Sequence, residues 1–228
     1  MGMHFQPAAD TAGNDPPVSR GYAWVAFALI IELMLSDYLS RQVINAIFPF
    51  LKAEWSLSDA QLGSLVSVVA LVVGVMTFPI SLVADRWGRV RSATAMALVW
   101  GLATIACGLA GNFTTMFIAR AMVGLGEAGY GSAGGAILTS VFPRRLHSTV
   151  IGAFLAAALF GSVLGVVLGG IIAKSLGWHM AFIIVGAGGL VLAVVFPLVV
   201  GNRPRTHRPA RLPCRCATWF ASCFVPAP

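Results

Sequence analysis

Of 228 residues, 58% are hydrophobic and only 10% charged, a composition far from that of water-soluble domains and one that excludes a large aqueous domain. The formal net charge of +7 is not gathered on one soluble face, which argues against a nucleic-acid-binding protein. The basic residues instead alternate with long apolar runs, as topology signals do.

Residues 1–20 are polar, carry Pro16 and Pro17, and lack the basic-then-apolar order of a signal peptide, so they read as a disordered cytoplasmic N-terminus. Six apolar runs follow, near 22–48, 61–84, 92–111, 114–141, 148–173 and 179–200. Each is long enough for a hydrocarbon core of about 30 Å. Lipid cannot satisfy open backbone groups and the alternation of a membrane barrel is absent, so all six are expected to be helices. The prediction is an all-α membrane protein with one six-helix transmembrane domain over 21–200.

The first span holds Glu32, Asp37 and Arg41. Charged side chains cost on the order of 2.5–3.5 kcal/mol each at mid-membrane, so they must face one another or water. Asp37 and Arg41, four residues apart, share a helix face. Glu32 points to roughly the opposite side and belongs to a different contact. Before the second span, Ser58 and Gln61 in SLSDAQLG have the spacing of a capping box. The second and third spans are joined by ADRWGRVRS, so short that the two are expected to be close antiparallel neighbours.

Cys107 in the third span reads as a free thiol, as do Cys214, Cys216 and Cys223 in the tail. A C-x-C without a second ligand pair is not zinc spacing, and neither metal nor cofactor is expected. In the fourth span, RAMVGLGEAGYG places Arg120 and Glu127 two turns apart on one face, among Gly124, Gly126, Gly129 and Gly131. Two charged stripes of this kind predict a cavity lined by the first and fourth spans, with Asp37 and Arg120 as the preferred pair and Arg41 able to reach Asp37 or Glu127. Burial favours a neutral carboxyl and a nearby guanidinium favours a charged one, so a cavity that opens and closes can load and release a proton. In the fifth span, Gly161, Gly165 and Gly169 repeat the G-x-x-x-G spacing of close helix packing.

Two further patterns are global. ISLVADRWGRVRSA is faintly echoed by GGIIAKSLGWHMAF about 89 residues later, on the opposite side of the membrane, as an inverted repeat of three helices requires. Arg20, Arg86, Arg89, Arg91, Arg144 and Arg145 fall on one side, against Lys52 and Lys174 on the other, which places both termini in the cytoplasm. Residues 201–228 are rich in arginine and proline without periodicity and read as a basic disordered tail, more like a disrupted reading frame than a linker.

These residues resemble the major facilitator superfamily over roughly 21–200. ADRWGRVRS is similar to its loop motif G-x-x-x-D-[RK]-x-G-[RK]-x-[RK]: Asp85, Arg86, Gly88, Arg89 and Arg91 match, and Ser81 stands where the leading glycine is usual. GSVLGVVLGG is similar to the fifth-helix motif G-x-x-x-G-P-x-x-G-G, with Val166 in place of proline. KAEWSLSDAQLGSL, RAMVGLGEAGYG and GWHMAF resemble the bacterial spinster-like branch, with the anion–cation symporter branch as a near neighbour. The first helix of that branch reads N-Y-x-D-R-Q. Here DYLSRQ puts Asp37 at the asparagine, Ser40 at the aspartate, and Arg41 and Gln42 at matching places.

The resemblance implies one six-helix half of a twelve-helix transporter, itself a 3+3 inverted repeat, in a bacterial plasma membrane. It implies proton-coupled movement of a small organic or lipid-like solute, with Asp37, Arg41, Arg120 and Glu127 in substrate binding and proton coupling. Asp85, Arg86, Gly88, Arg89 and Arg91 would form a gating loop that latches two halves together. A lone half would leave the charged surface against lipid, which a homodimer would relieve; the alternative is a non-transporting fragment or assembly subunit. With no H-E-x-x-H, nucleophile elbow or metal cluster, an enzyme is not expected.

Overall fold

The computed structural model describes residues 20–200. In chain order the helices are α1 (Arg20–Trp55), α2 (Asp59–Trp87), α3 (Arg89–Gly108), α4 (Phe113–Glu127), α5 (Tyr130–Val141), a short 3-10 turn at Arg144–Leu146, α6 (His147–Leu176) and α7 (Trp178–Val200). Five of them, α1, α2, α3, α6 and α7, are each long and apolar enough to cross a membrane. At 15 and 12 residues, α4 and α5 are too short to cross alone, and together they make the fourth span as a broken helix. The break falls at Ala128 and Gly129. A Cβ on Gly129 would lie 2.6 Å from the Met96 sulfur and 2.7 Å from Ile80 Cγ2, so a larger residue at the bend would require those side chains of α3 and α2 to shift.

Local chemistry sets the other boundaries. Ser58 and Gln61 form the expected capping box at the start of α2, the Ser58 amide donating to Gln61 Oε1 at 2.9 Å. Asn112 Oδ1 accepts from the Thr115 amide at 2.9 Å and starts α4. Gly88 and Gly177 separate α2 from α3 and α6 from α7 with φ of +98° and +90°, the positive-φ glycines of the described residues. A side chain at either would be strained. Equivalent junctions, each a single left-handed glycine, therefore occur once in α1–α3 and once in α4–α7, which is the 3+3 repeat expressed in the backbone.

Glycines also bring the helices together. A Cβ on Gly161 would lie 2.5 Å from the Leu35 carbonyl oxygen, one on Gly165 would collide with the Leu39 carbonyl, and one on Gly169 would lie 3.2 Å from Val43 Cα, so α6 lies directly on the backbone of α1. In the same way α3 crosses α7 where Gly101 meets Leu190 and Gly108 meets His179.

One expectation changes: α2 and α3 are not close neighbours along their length. They part after Gly88, and α4 wedges between them, with Gly124 against the Val69 carbonyl and Gly126 against the Trp100 amide. A one-residue link fixes where two helices meet; it does not fix how far they stay together.

Two apolar cores result. One, near the arginine-rich end, gathers Ile30, Trp100, Tyr130, Phe154 and Phe196. The other, toward the opposite end, gathers Ile44, Ile47, Leu51, Met116 and Phe182. The Tyr22 hydroxyl donates to the Val200 carbonyl at 3.0 Å, bringing the first and last helices to one end. At the other end Trp178 Nε1 donates to Glu54 Oε2 at 2.6 Å, with Trp55 edge-on to the Trp178 ring. Large apolar side chains such as Leu71, Phe78, Leu159, Phe160 and Leu198 remain exposed on the flanks, a surface suited to hydrocarbon and not to water. The chain is an integral membrane protein.

Candidate functional site

The backbones of α1 and α4 approach each other hardly at all, and long polar side chains fill the space between them. Asp37, Ser40 and Arg41 enter from α1, and Arg120 and Glu127 from α4, all but Arg41 buried. The structure thus brings together all four residues expected to line a cavity. Of the expected pairings, one of the two open to Arg41 forms and the preferred Asp37–Arg120 pair does not.

The ion pair that forms is Arg41 Nη2 with Glu127 Oε2, at 2.5 Å. The Glu127 side chain is 0% exposed and that of Arg41 is 29% exposed, so the pair joins a sealed carboxylate to a guanidinium that reaches the open side of α1. Arg41 also lies over the Tyr38 ring, 5.1 Å from its centroid. Asp37 is within electrostatic reach of both Arg41 and Glu127. Its Oδ1 has no hydrogen-bond partner, nor has Glu127 Oε1, and Glu127 Oε2 meets Arg41 by charge rather than by an aligned hydrogen bond. Ser40, at the place of the spinster-like aspartate, donates to the Asp37 carbonyl at 2.7 Å, tying the displaced acid to its own turn.

Arg120 does not pair with Asp37 as expected. It is 1% exposed, its Nη2 donates to the Arg41 carbonyl at 3.4 Å, its guanidinium lies 5.7 Å from the Phe182 ring centroid, and its Nε has no partner. Among the described residues it forms no ion pair. The cause is register: Glu127, not Arg120, lies at the level of Asp37, and two helical turns keep Arg120 beyond ion-pair distance of either acid while leaving it within electrostatic reach of Glu127. Cys107 of α3 sits beside it as a buried free thiol.

The charged residues do not lie against lipid, another departure from expectation. The described helices themselves enclose Asp37, Arg120 and Glu127. What reaches the surface is Arg41, with Gln42 hydrogen-bonded to an exposed Asn45 one turn further on. Glu32 is also exposed on α1 and takes no part in the cluster. Of the loop motif, Gly88 makes the α2–α3 junction and Arg91 is exposed in the first turn of α3, while the side chains of Asp85, Arg86 and Arg89 lie outside the described part. Gly161, Gly165 and Gly169 press α6 against the stretch of α1 that carries Asp37 and Arg41, so they set the position of that stretch.

Sequence reasoning passed over Tyr130, whose buried hydroxyl donates to the Ile30 carbonyl at 3.0 Å and fixes the start of α5 on α1 beside Asp37. The one signal for it was a tyrosine in a glycine run directly after Glu127. Among the described residues no three His, Cys, Asp or Glu side chains converge as a metal site. Chemically, the cluster combines carboxylate oxygens free to accept a proton with a planar guanidinium able to take a carboxylate in bidentate fashion.

A family model described as Major Facilitator Superfamily matches residues 33–215. An MFS-type efflux pump of Mycolicibacterium smegmatis is 30% identical over 199 residues, covering 87% of this chain and 46% of the pump. The 4-hydroxybenzoate transporter PcaK of Acinetobacter baylyi is 25% identical, covering 86% of this chain and 42% of its own. The hexuronate transporter of Escherichia coli K12 is 28% identical, with 83% and 44% covered. A crystal structure of a bacterial homologue of the human lysosomal transporter Spinster, inward-facing and unoccupied, superposes with a TM-score of 0.77 at 26% identity, over 90% of this chain and 49% of that one. The chain spans about half the length of the relatives it matches.

Proposed function

Because the chain belongs to the Major Facilitator Superfamily, we propose that it forms one six-helix bundle of a proton-coupled secondary transporter of small organic anions, with Asp37, Arg41, Arg120 and Glu127 as its working residues. The observation that carries the anion is Arg120, a buried guanidinium held by a backbone carbonyl and an aromatic face and, among the described residues, in no ion pair with a carboxylate. An unpaired buried charge is costly, and a substrate carboxylate supplies the missing partner. Hexuronate and 4-hydroxybenzoate, named for two of the relatives, have that group.

Proton coupling rests on the Arg41–Glu127 pair. A proton taken by Glu127 removes the charge that holds Arg41, which is then free to turn toward the open side of α1. Loss of the proton restores the pair. Asp37 stands one turn before the usual acid position and takes over its part of this exchange.

Alternating access requires two bundles rocking about a site between them. The polar face of Arg41, Gln42 and Asn45 is where a second six-helix bundle would dock, and a second copy of this chain is the arrangement proposed. The bundle lies in a bacterial plasma membrane, with the arginine-rich end cytoplasmic. The test is uptake of a panel of small carboxylates into proteoliposomes under an imposed pH gradient. Saturable, gradient-dependent uptake is expected, and uptake restricted to neutral or cationic solutes would refute the anion assignment.

A further inference from the structure

We propose that the arginine-rich end carries a binding site for an anionic phospholipid, its phosphate at the N-terminus of α3 and at Arg91, and one acyl chain in the groove that α2, α3 and α4 leave between them. The groove follows from the fold. As α2 and α3 part after Gly88, α4 fills the gap behind them only as far as Leu125 and Gly126, leaving a cavity of about 260 Å³. Ile80, Val83 and Trp87 of α2 face Ser92, Met96 and Val99 of α3 across it. At Val99 it meets a second cleft of about 550 Å³ between α3 and α4, which runs on to Gly111 and Thr115. At about 1.5 Å per residue, α3 from Ser92 to its end at Gly108 is about 24 Å long, more than the half of a hydrocarbon core that one acyl chain crosses.

The groove is separate from the charged cluster. On α4 it uses Ile118, Met122 and Leu125, roughly half a turn around the helix from Arg120 and Glu127. A bundle docked on the Arg41 face therefore leaves this flank to lipid.

Four features of the mouth select the occupant. Ser92 is 3% exposed and lines the groove, yet its hydroxyl has no hydrogen-bond partner, a costly state that a polar linker group of a bound amphiphile would relieve. The first turn of α3 has no side-chain cap and no acidic residue, so its free N–H groups and dipole attract an anion. Arg91 is exposed in that same turn. Trp87, 66% exposed, stands at the mouth as tryptophans do at headgroup depth. An apolar slot below a cationic mouth matches a phospholipid of net negative charge. A free anion leaves the slot unexplained, and an apolar helix leaves the hydroxyl and Arg91 unexplained.

The experiment is native mass spectrometry of the full chain released from nanodiscs of phosphatidylglycerol and phosphatidylcholine with identical acyl chains. Phosphatidylglycerol should be retained over phosphatidylcholine. Arg91→Ala should weaken its retention about fivefold, Arg91→Lys should restore it, and Ala95→Phe, which fills the slot, should lower retention of both lipids. Equal retention of the two lipids by the unaltered chain would overturn the proposal, and that comparison needs no variant to fold. Displacement by glycerophosphate as effectively as by the intact lipid would overturn it in favour of a bare anion site. A lipid-independent dimer lost in Ala95→Phe would overturn it in favour of a second copy.

Discussion

Arg120 and Glu127 carry opposite charges on one face of α4, yet each looks elsewhere: Glu127 to Arg41, and Arg120 to a carbonyl and a ring. This division separates stability from function. Replacing a buried charge by an apolar side chain of similar volume is often neutral or stabilising, whereas removing one member of a buried pair leaves the other uncompensated, at about 3–5 kcal/mol. Arg120→Met is therefore expected to keep or raise the thermal midpoint while abolishing stabilisation by small carboxylates. A midpoint lowered as far as by Glu127→Ala would show Arg120 to be a structural tie. Glu127→Gln retains shape and removes charge. It should leave the fold intact and eliminate uptake driven by a pH gradient, and unchanged gradient dependence would remove Glu127 from proton coupling.

At the scale of elements, the glycines of α6 make a graded set within one helix. A methyl group at Gly165 meets the Leu39 carbonyl and Gln42 Cβ and should destabilise the α1–α6 seam by about 1–3 kcal/mol. A methyl group at Gly152 has no neighbour within 4 Å, so Gly152→Ala should be neutral or stabilising by up to about 1 kcal/mol, through helix propensity alone. Equal effects of the two substitutions in a thermal unfolding assay would show that the seam is not held by close approach. The same elements show what was legible in the sequence. The apolar spans other than the broken fourth, the Ser58 cap and the contacts of Gly161, Gly165 and Gly169 are local or periodic signals, and each appears where the sequence pointed. The break at Ala128 and Gly129 and the parting of α2 from α3 depend on where Met96, Ile80 and Trp100 end up, which is tertiary information. The charged set was legible as a set because charge in a membrane span is costly. Its pairing was not, since two helical turns of register decide whether Asp37 faces Arg120 or Glu127.

For the whole molecule, the predictions concern orientation and assembly. The Arg91 and Arg145 end should be cytoplasmic and the Lys174 end external by the excess of arginine. Single cysteines at Arg145 and Lys174 should label only from the inside and only from the outside, respectively, and the reverse pattern would invert the topology. Central to the proposed function is an Arg41–Glu127 pair, its carboxylate sealed, that couples protons to the movement of an organic anion in an assembly of two bundles. It is tested most directly by measuring anion uptake under a pH gradient in vesicles whose particles have been counted as one or two copies by subunit photobleaching. Uptake is predicted from two-copy particles, absent from single copies and absent when both copies carry Glu127→Gln. Gradient-driven uptake by single copies, or by the Glu127→Gln pair, would contradict it.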